Sequence, residues 1–142
     1  TIQGGLNINS VPDQATIGID IRTVPTLDHG ELLNALALQL GSEVELETLM
    51  DLESVYTDPE QPWMQSVFDV MTSILGSRPT PRVATYFTDA AALNRAYHDP
   101  PTVILGPGEP QMAHQTDEYC VIERIDQAVA AYEALIRRWC VA

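Results

Sequence analysis

Three histidines, His29, His98 and His114, are the chain's candidates for neutral imidazole ligands or general bases. They come without a His-Glu-x-x-His helix, a Gly-x-Ser-x-Gly elbow or a phosphate-binding glycine loop with its Lys. A complete active site therefore cannot be assembled from these residues. His29 falls in the first turn of an expected surface helix and His98 beside Asp99-Pro100-Pro101 in an expected loop, and both read as exposed. His114 differs because it follows the apolar run 102–105 and the turn Gly106-Pro107-Gly108-Glu109-Pro110. That is where the carboxyl end of a parallel strand meets its loop, the edge at which open α/β sheets bind ligands. From spacing alone His114 reads either as a metal ligand or catalytic group or as an ordinary loop histidine. Its neighbours Asp117 and Glu118 are placed to orient or charge-balance it.

Arg22 closes an alternating run on its polar side, where a guanidinium fork can hold a carboxylate with two charge-assisted bonds. The plainer reading is a solvated or ion-paired Arg. Asn9 suits a turn, Thr88 and Asp89 suit a helix cap, and Gly106 and Gly108 suit a turn where backbone can approach a ligand. Cys120, Trp63 and Trp139 read as packing residues, and both cysteines, Cys120 and Cys140, as reduced thiols, because they fit no metal-ligand spacing.

These residues need elements to hold them. Ile17, Ile19 and Ile21 alternate with Thr16, Gly18, Asp20 and Arg22, which predicts a half-buried strand over 16–22. Gly4-Gly5 and the turn-forming Asn9-Ser10-Val11-Pro12-Asp13 predict that residues 2–8 pair with it. Asp28 precedes Glu31 in a capping arrangement, and Leu32, Leu33, Leu36 and Leu40 follow at helical spacing up to Gly41. Val44, Leu46 and Thr48 alternate with Glu43, Glu45 and Glu47, which predicts a further strand with an acidic outer face. The polar patch at 57–62 marks a boundary, and Pro62 suits the first turn of a second helix that ends at Gly76.

Beyond it the pattern predicts a short strand at 83–87, a helix from Asp89 to about Tyr97 capped by Thr88, and a short strand at 102–105. The closing helix carries Ile122, Ile125, Val129, Tyr132, Ile136 and Trp139 at spacings of three and four, the face expected to be buried. Strand-helix-strand order followed by alternating helices and strands predicts an α/β fold, with one segment at 1–57 and another at 58–142.

With 142 residues and 45% hydrophobic content, the chain is long and apolar enough to fold. A formal net charge of -13 repels phosphate backbones and anionic lipid, which argues against nucleic-acid or membrane-surface partners. No apolar run approaches the roughly 20 residues of a membrane span and no leader pattern directs export, so a cytoplasmic setting is expected. The chain enters on a strand-like stretch at Thr1, and the expectation is a piece of a longer protein.

The string Pro101-Thr-Val-Ile-Leu-Gly-Pro-Gly-Glu-Pro-Gln-Met-Ala-His-Gln-Thr-Asp-Glu-Tyr119 resembles the C-terminal signature of the acetylornithine deacetylase / succinyl-diaminopimelate desuccinylase family, which also includes aminoacylase and glutamate carboxypeptidase. Tyr86-Phe-Thr-Asp-Ala90, Gly4-Gly5, Asn9-Ser-Val-Pro-Asp13 and Asp20-Ile-Arg22 resemble it too, in the family's order.

The resemblance implies a catalytic domain holding two zinc ions and an inserted lid that mediates homodimerisation and clamps substrate. Residues 1–57 would then be the latter part of the lid and 58–142 the C-terminal part of the catalytic domain. By the same resemblance His114 matches the last zinc ligand, Glu118 supports it, Arg22 would hold a substrate carboxylate, and Asn9 would approach the scissile carbonyl in the partner subunit. Thr88, Asp89, Gly106 and Gly108 would face the substrate. The other zinc ligands and the general-base Glu lie upstream in the family, so this chain alone is expected to be inactive. The implied activity is zinc-dependent hydrolysis of N-acyl amino acids. The competing expectation is a non-catalytic dimerisation module or a small ligand-binding domain.

Overall fold

Asp28 has an extended backbone, and its carboxylate accepts a 2.8 Å bond from the Glu31 amide, so a helix starts where the sequence places its cap. The computed structural model describes residues 1–140, and Val141 and Ala142, the end of the expected 58–142 segment, lie outside the described residues. The chain divides into two units, Thr1–Ser54 and the residues from Val55 onward.

In the first unit β1 (Ile2–Gly4) pairs antiparallel with β2 (Ala15–Ile17), in the register Ile2 to Ile17, Gln3 to Thr16 and Gly4 to Ala15. The hairpin is thus present but shorter than the expected 2–8 and 16–22. Gly4 lies so close to the partner strand that a Cβ there would sit 2.9 Å from the Gln14 carbonyl oxygen. Helix α1 (His29–Leu40) ends at Gly41, as its Leu spacing and terminal glycine predict.

Two expectations fail in this unit. Ile17, Ile19 and Ile21 are exposed, because a two-stranded ribbon with no helix packed on it has no layer to bury a face against. Residues 44–48 form no strand, since an alternating run becomes one only when a neighbour completes its ladder. No residue of this unit is buried. Its helix therefore depends on its caps more than on packing.

In the second unit α2 (Pro62–Leu75) begins with Pro at the first helical position, where a missing N–H costs nothing, and closes on Gly76. Gly76 has φ 74°, a left-handed conformation that disfavours a side chain. Helices α3 (Ala90–Ala96) and α4 (Ile122–Cys140) follow, with a single 3-10 turn at Pro110–Met112 between them.

Helices α2 and α4 pack on one another through Val67 and Val70 against Ala131 and Leu135, joined at the rim by Trp63, Met71, Ile74 and Ala134. Ala131 is fully buried, and its small side chain lets the two backbones approach. Trp63 and Trp139 meet edge to face, ring centroids 4.9 Å apart, and Arg138 donates to the Ser66 carbonyl at 3.3 Å.

The buried face of α4 is not the expected one. Ile122, Ile125, Val129, Tyr132, Ile136 and Trp139 all remain exposed, while Ala128, Ala131 and Leu135 are buried. Periodicity locates an apolar stripe, but the neighbour decides which side is covered, and α2 covers the alanine side. The segments 83–87 and 102–105 are irregular rather than strands, for want of a ladder partner among the described residues. Val103 and Leu105 nonetheless rest against the α2–α4 core, the Thr102 amide donates to Thr57 Oγ1 at 2.8 Å, and Tyr132 donates to the Leu105 carbonyl at 2.8 Å. Helices and a small sheet are compatible with an α/β fold.

Candidate functional site

The loop after segment 102–105 is rich in proline and glycine, holds only the 3-10 turn at Pro110–Met112 among its described residues, and carries His114 out to solvent. His114 has φ 63° and Asp117 φ 63°, two left-handed non-glycine residues three positions apart. Such conformations persist only where the surroundings hold them. Glu118 supplies part of that hold, because its Oε2 accepts the His114 backbone N–H at 3.3 Å. The carboxylate therefore shapes the loop through its backbone, a more indirect form of support than contact with the imidazole ring. Further along, Cys120 Sγ lies 3.4 Å from the Pro107 carbonyl and Arg124 pairs with Glu109, so the loop is tied back to the start of α4.

Thr88 and Asp89 stand at the start of α3, where Thr88 Oγ1 accepts the Ala90 amide at 3.3 Å. Asp89 occupies the residue before the helix without a side-chain cap bond. Both line a cleft of about 520 Å³ with Leu93, Tyr97 and the run Val103–Leu105, mostly apolar in its walls. Asn94 also lines it, and its Oδ1 is buried without a partner. His114 does not line this cleft. Gly106 follows directly on the cleft wall, and an added Cβ would come no nearer than 3.9 Å to Tyr132 Oη, while Gly108 has open space around it. Neither glycine has the positive φ that would demand one.

Arg22 and Asn9 belong to the first unit. Arg22 Nη2 donates to Asp20 Oδ2 at 2.6 Å, with both side chains about half exposed or more. Asn9 is exposed in the hairpin connection, its backbone N–H donating to Asn7 Oδ1 at 3.3 Å.

His29 departs from its expected exposed setting. Its side chain is 20% exposed, Nδ1 lies 2.5 Å from Asp51 Oδ1, and Nε2 lies 3.0 Å from Thr23 Oγ1. Nothing local in the sequence signals this network, since Asp51 is 22 positions away. His98, with φ 62°, is exposed at the end of α3 as expected.

Zinc sites take three or four Cys, His or carboxylate donors within bonding reach of one point. No group of three His, Cys, Asp or Glu residues capable of holding a metal occurs among the described residues. His114 can contribute one donor, and the remainder of a two-zinc set is not assembled among the described residues.

The sequence profile described as Peptidase family M20/M25/M40 matches residues 3–138. Among curated relatives, a protein named as a probable succinyl-diaminopimelate desuccinylase from Staphylococcus aureus is 29% identical over 141 residues, covering 94% of this chain and 35% of its own length. The acetylornithine deacetylase of Pasteurella multocida is 30% identical over 146 residues, covering 98% of this chain and 36% of its own. That of Photorhabdus laumondii is 29% identical over 145 residues, 99% of this chain and 36% of its own. The chain spans about a third of the length of these relatives. No solved structure matches it.

Proposed function

The chain belongs to peptidase family M20/M25/M40, and from that premise we propose that it is the C-terminal part of a zinc-dependent amidohydrolase acting on N-acyl amino acids. The observation that carries the reading is the family match across residues 3–138 in a chain only about a third as long as relatives named for deacetylation and desuccinylation. Residues 1–57 are then the latter part of a lid that brings two subunits together, and 58–142 the end of the catalytic domain. Cytoplasmic location belongs to the same proposal. No helix among the described residues is long and apolar enough to cross a membrane.

Bound zinc would lower the pKa of a water molecule and polarise the acyl carbonyl. Toward it this chain supplies His114, held in its loop by Glu118. The described residues have other tasks. Arg22 offers a planar fork to the free carboxylate of the substrate, exchanging its exposed bond with Asp20 for one to the ligand. Asn9 donates toward the scissile carbonyl, and Thr88, Asp89, Gly106 and Gly108 form the substrate-facing rim around the cleft.

The exposed stripe on α4 and the ladderless runs 83–87 and 102–105 are consistent with surfaces meant for further elements. The absence of a three-ligand group among the described residues favours one qualification, that the isolated chain is a non-catalytic module.

The test is His114→Ala in the longer protein. Zinc content and rate should fall together, since losing one protein ligand weakens the metal and the chemistry it supports. Full zinc occupancy in the variant would remove His114 from the ligand set.

A further inference from the structure

The β2 ladder ends at Ile17, and residues 18–24 form neither helix nor strand. Arg22 therefore projects from a stretch without regular structure. Ordering such backbone costs conformational entropy, a cost that falls on binding unless the stretch is fixed beforehand. A guanidinium fork gains its advantage over an ammonium only when its plane is already aimed.

The stretch is tied to helix α1 through side chains. His29 stands in the first turn of α1, behind the Asp28 cap. Asp51 Oδ1 accepts from Nδ1–H at 2.5 Å, and the Nε2 edge of the ring holds the Thr23 hydroxyl at 3.0 Å. Thr23 is β-branched and stiff at χ1, so holding its hydroxyl holds its Cα, one peptide from that of Arg22.

We propose that His29, through Thr23, is a positioning residue that aims Arg22 at the carboxylate of the substrate. The proposal rests on the reading of Arg22 as the carboxylate clamp. Asp51 locks the imidazole, the imidazole locks Thr23, and the exposed Asp20 is a partner of the fork that a substrate carboxylate can replace. A surface ion pair of this kind is cheap to exchange.

The experiment compares an N-acyl amino acid with its carboxamide in the longer protein, using Thr23→Val, Thr23→Ser, Arg22→Lys and the Arg22→Lys/Thr23→Val double variant. Thr23→Val should lower kcat/KM about fivefold, the scale of one neutral hydrogen bond, mainly through KM and only for the carboxylate substrate. Thr23→Ser, which keeps the hydroxyl, should restore it. In the Arg22→Lys background the same change should cost much less, because the fork it aims is gone. If Arg22→Lys loses carboxylate preference while Thr23→Val does not, the positioning role is wrong and the clamp stands. If Arg22→Lys leaves the preference intact, the clamp and its positioning fail together. An equal loss on both substrates with a lower melting temperature would make the network purely structural and would also overturn the proposal.

Discussion

Leu135 and Ile136 are sequence neighbours on α4 with opposite fates, 9% and 60% exposed, and truncating each in turn reads out which face of the helix holds the unit together. Leu135→Ala removes three carbon groups from contact with Val67, Val70 and Ala131. At about 0.8 kcal/mol per buried group the transfer loss is about 2.4 kcal/mol, and a partly collapsing cavity brings the cost to about 2–3 kcal/mol. Ile136→Ala removes the same number of groups, but less than half of that surface is withdrawn from water. The loss is then about 1 kcal/mol, partly offset by alanine's better helix propensity, leaving about 0.5 kcal/mol. The assay is urea unfolding of this chain followed by helical circular dichroism, with midpoints compared at constant slope. A Leu135→Ala chain without any cooperative transition falls on the expected side as well. Equal or greater cost at Ile136 would refute the packing, because it would mean that the stripe Ile122, Ile125, Val129, Ile136 seats on α2.

Two further outcomes follow from single contacts. Gly76→Ala forces a side chain into φ 74° at the end of α2 and should cost about 1–2 kcal/mol by the same urea assay, whereas Ser77→Ala beside it should be nearly silent. Tyr132→Phe removes the 2.8 Å bond to the Leu105 carbonyl and should cost about 0.5–1 kcal/mol, with faster amide exchange confined to residues around 102–105.

What the sequence made legible was local. Asp28 with Glu31, Pro62, Gly41 and Gly76 each act within a turn of their own position, and α1 and α2 begin and end where those residues stand. Strands were legible only where both partners lie close together, as in the three-residue pairing of β1 with β2. The runs 44–48, 83–87 and 102–105 have strand-like patterns but no ladder partner among the described residues, and a pattern without a partner has nowhere to place its N–H groups. The buried face of α4 was misread for a related reason. Its larger side chains mark a stripe, yet α2 approaches the alanines, and side-chain size alone does not reveal a neighbour.

Among candidate site residues the loop that carries His114 could be read from its prolines and glycines, but Glu118 reaching the backbone could not. The contact of His29 with Asp51 crosses 22 positions and a helix, beyond any spacing rule.

The most direct measurement is zinc-supplemented hydrolysis of N-acetyl and N-succinyl amino acids by the purified chain and, in parallel, by the longer protein that carries it. One histidine cannot supply the three or four donors of a catalytic zinc site, so the chain should release no amino acid while the longer protein turns over and loses activity to a chelator. Zinc-dependent turnover by the pure chain, or a longer protein that hydrolyses none of these amides, would contradict the account.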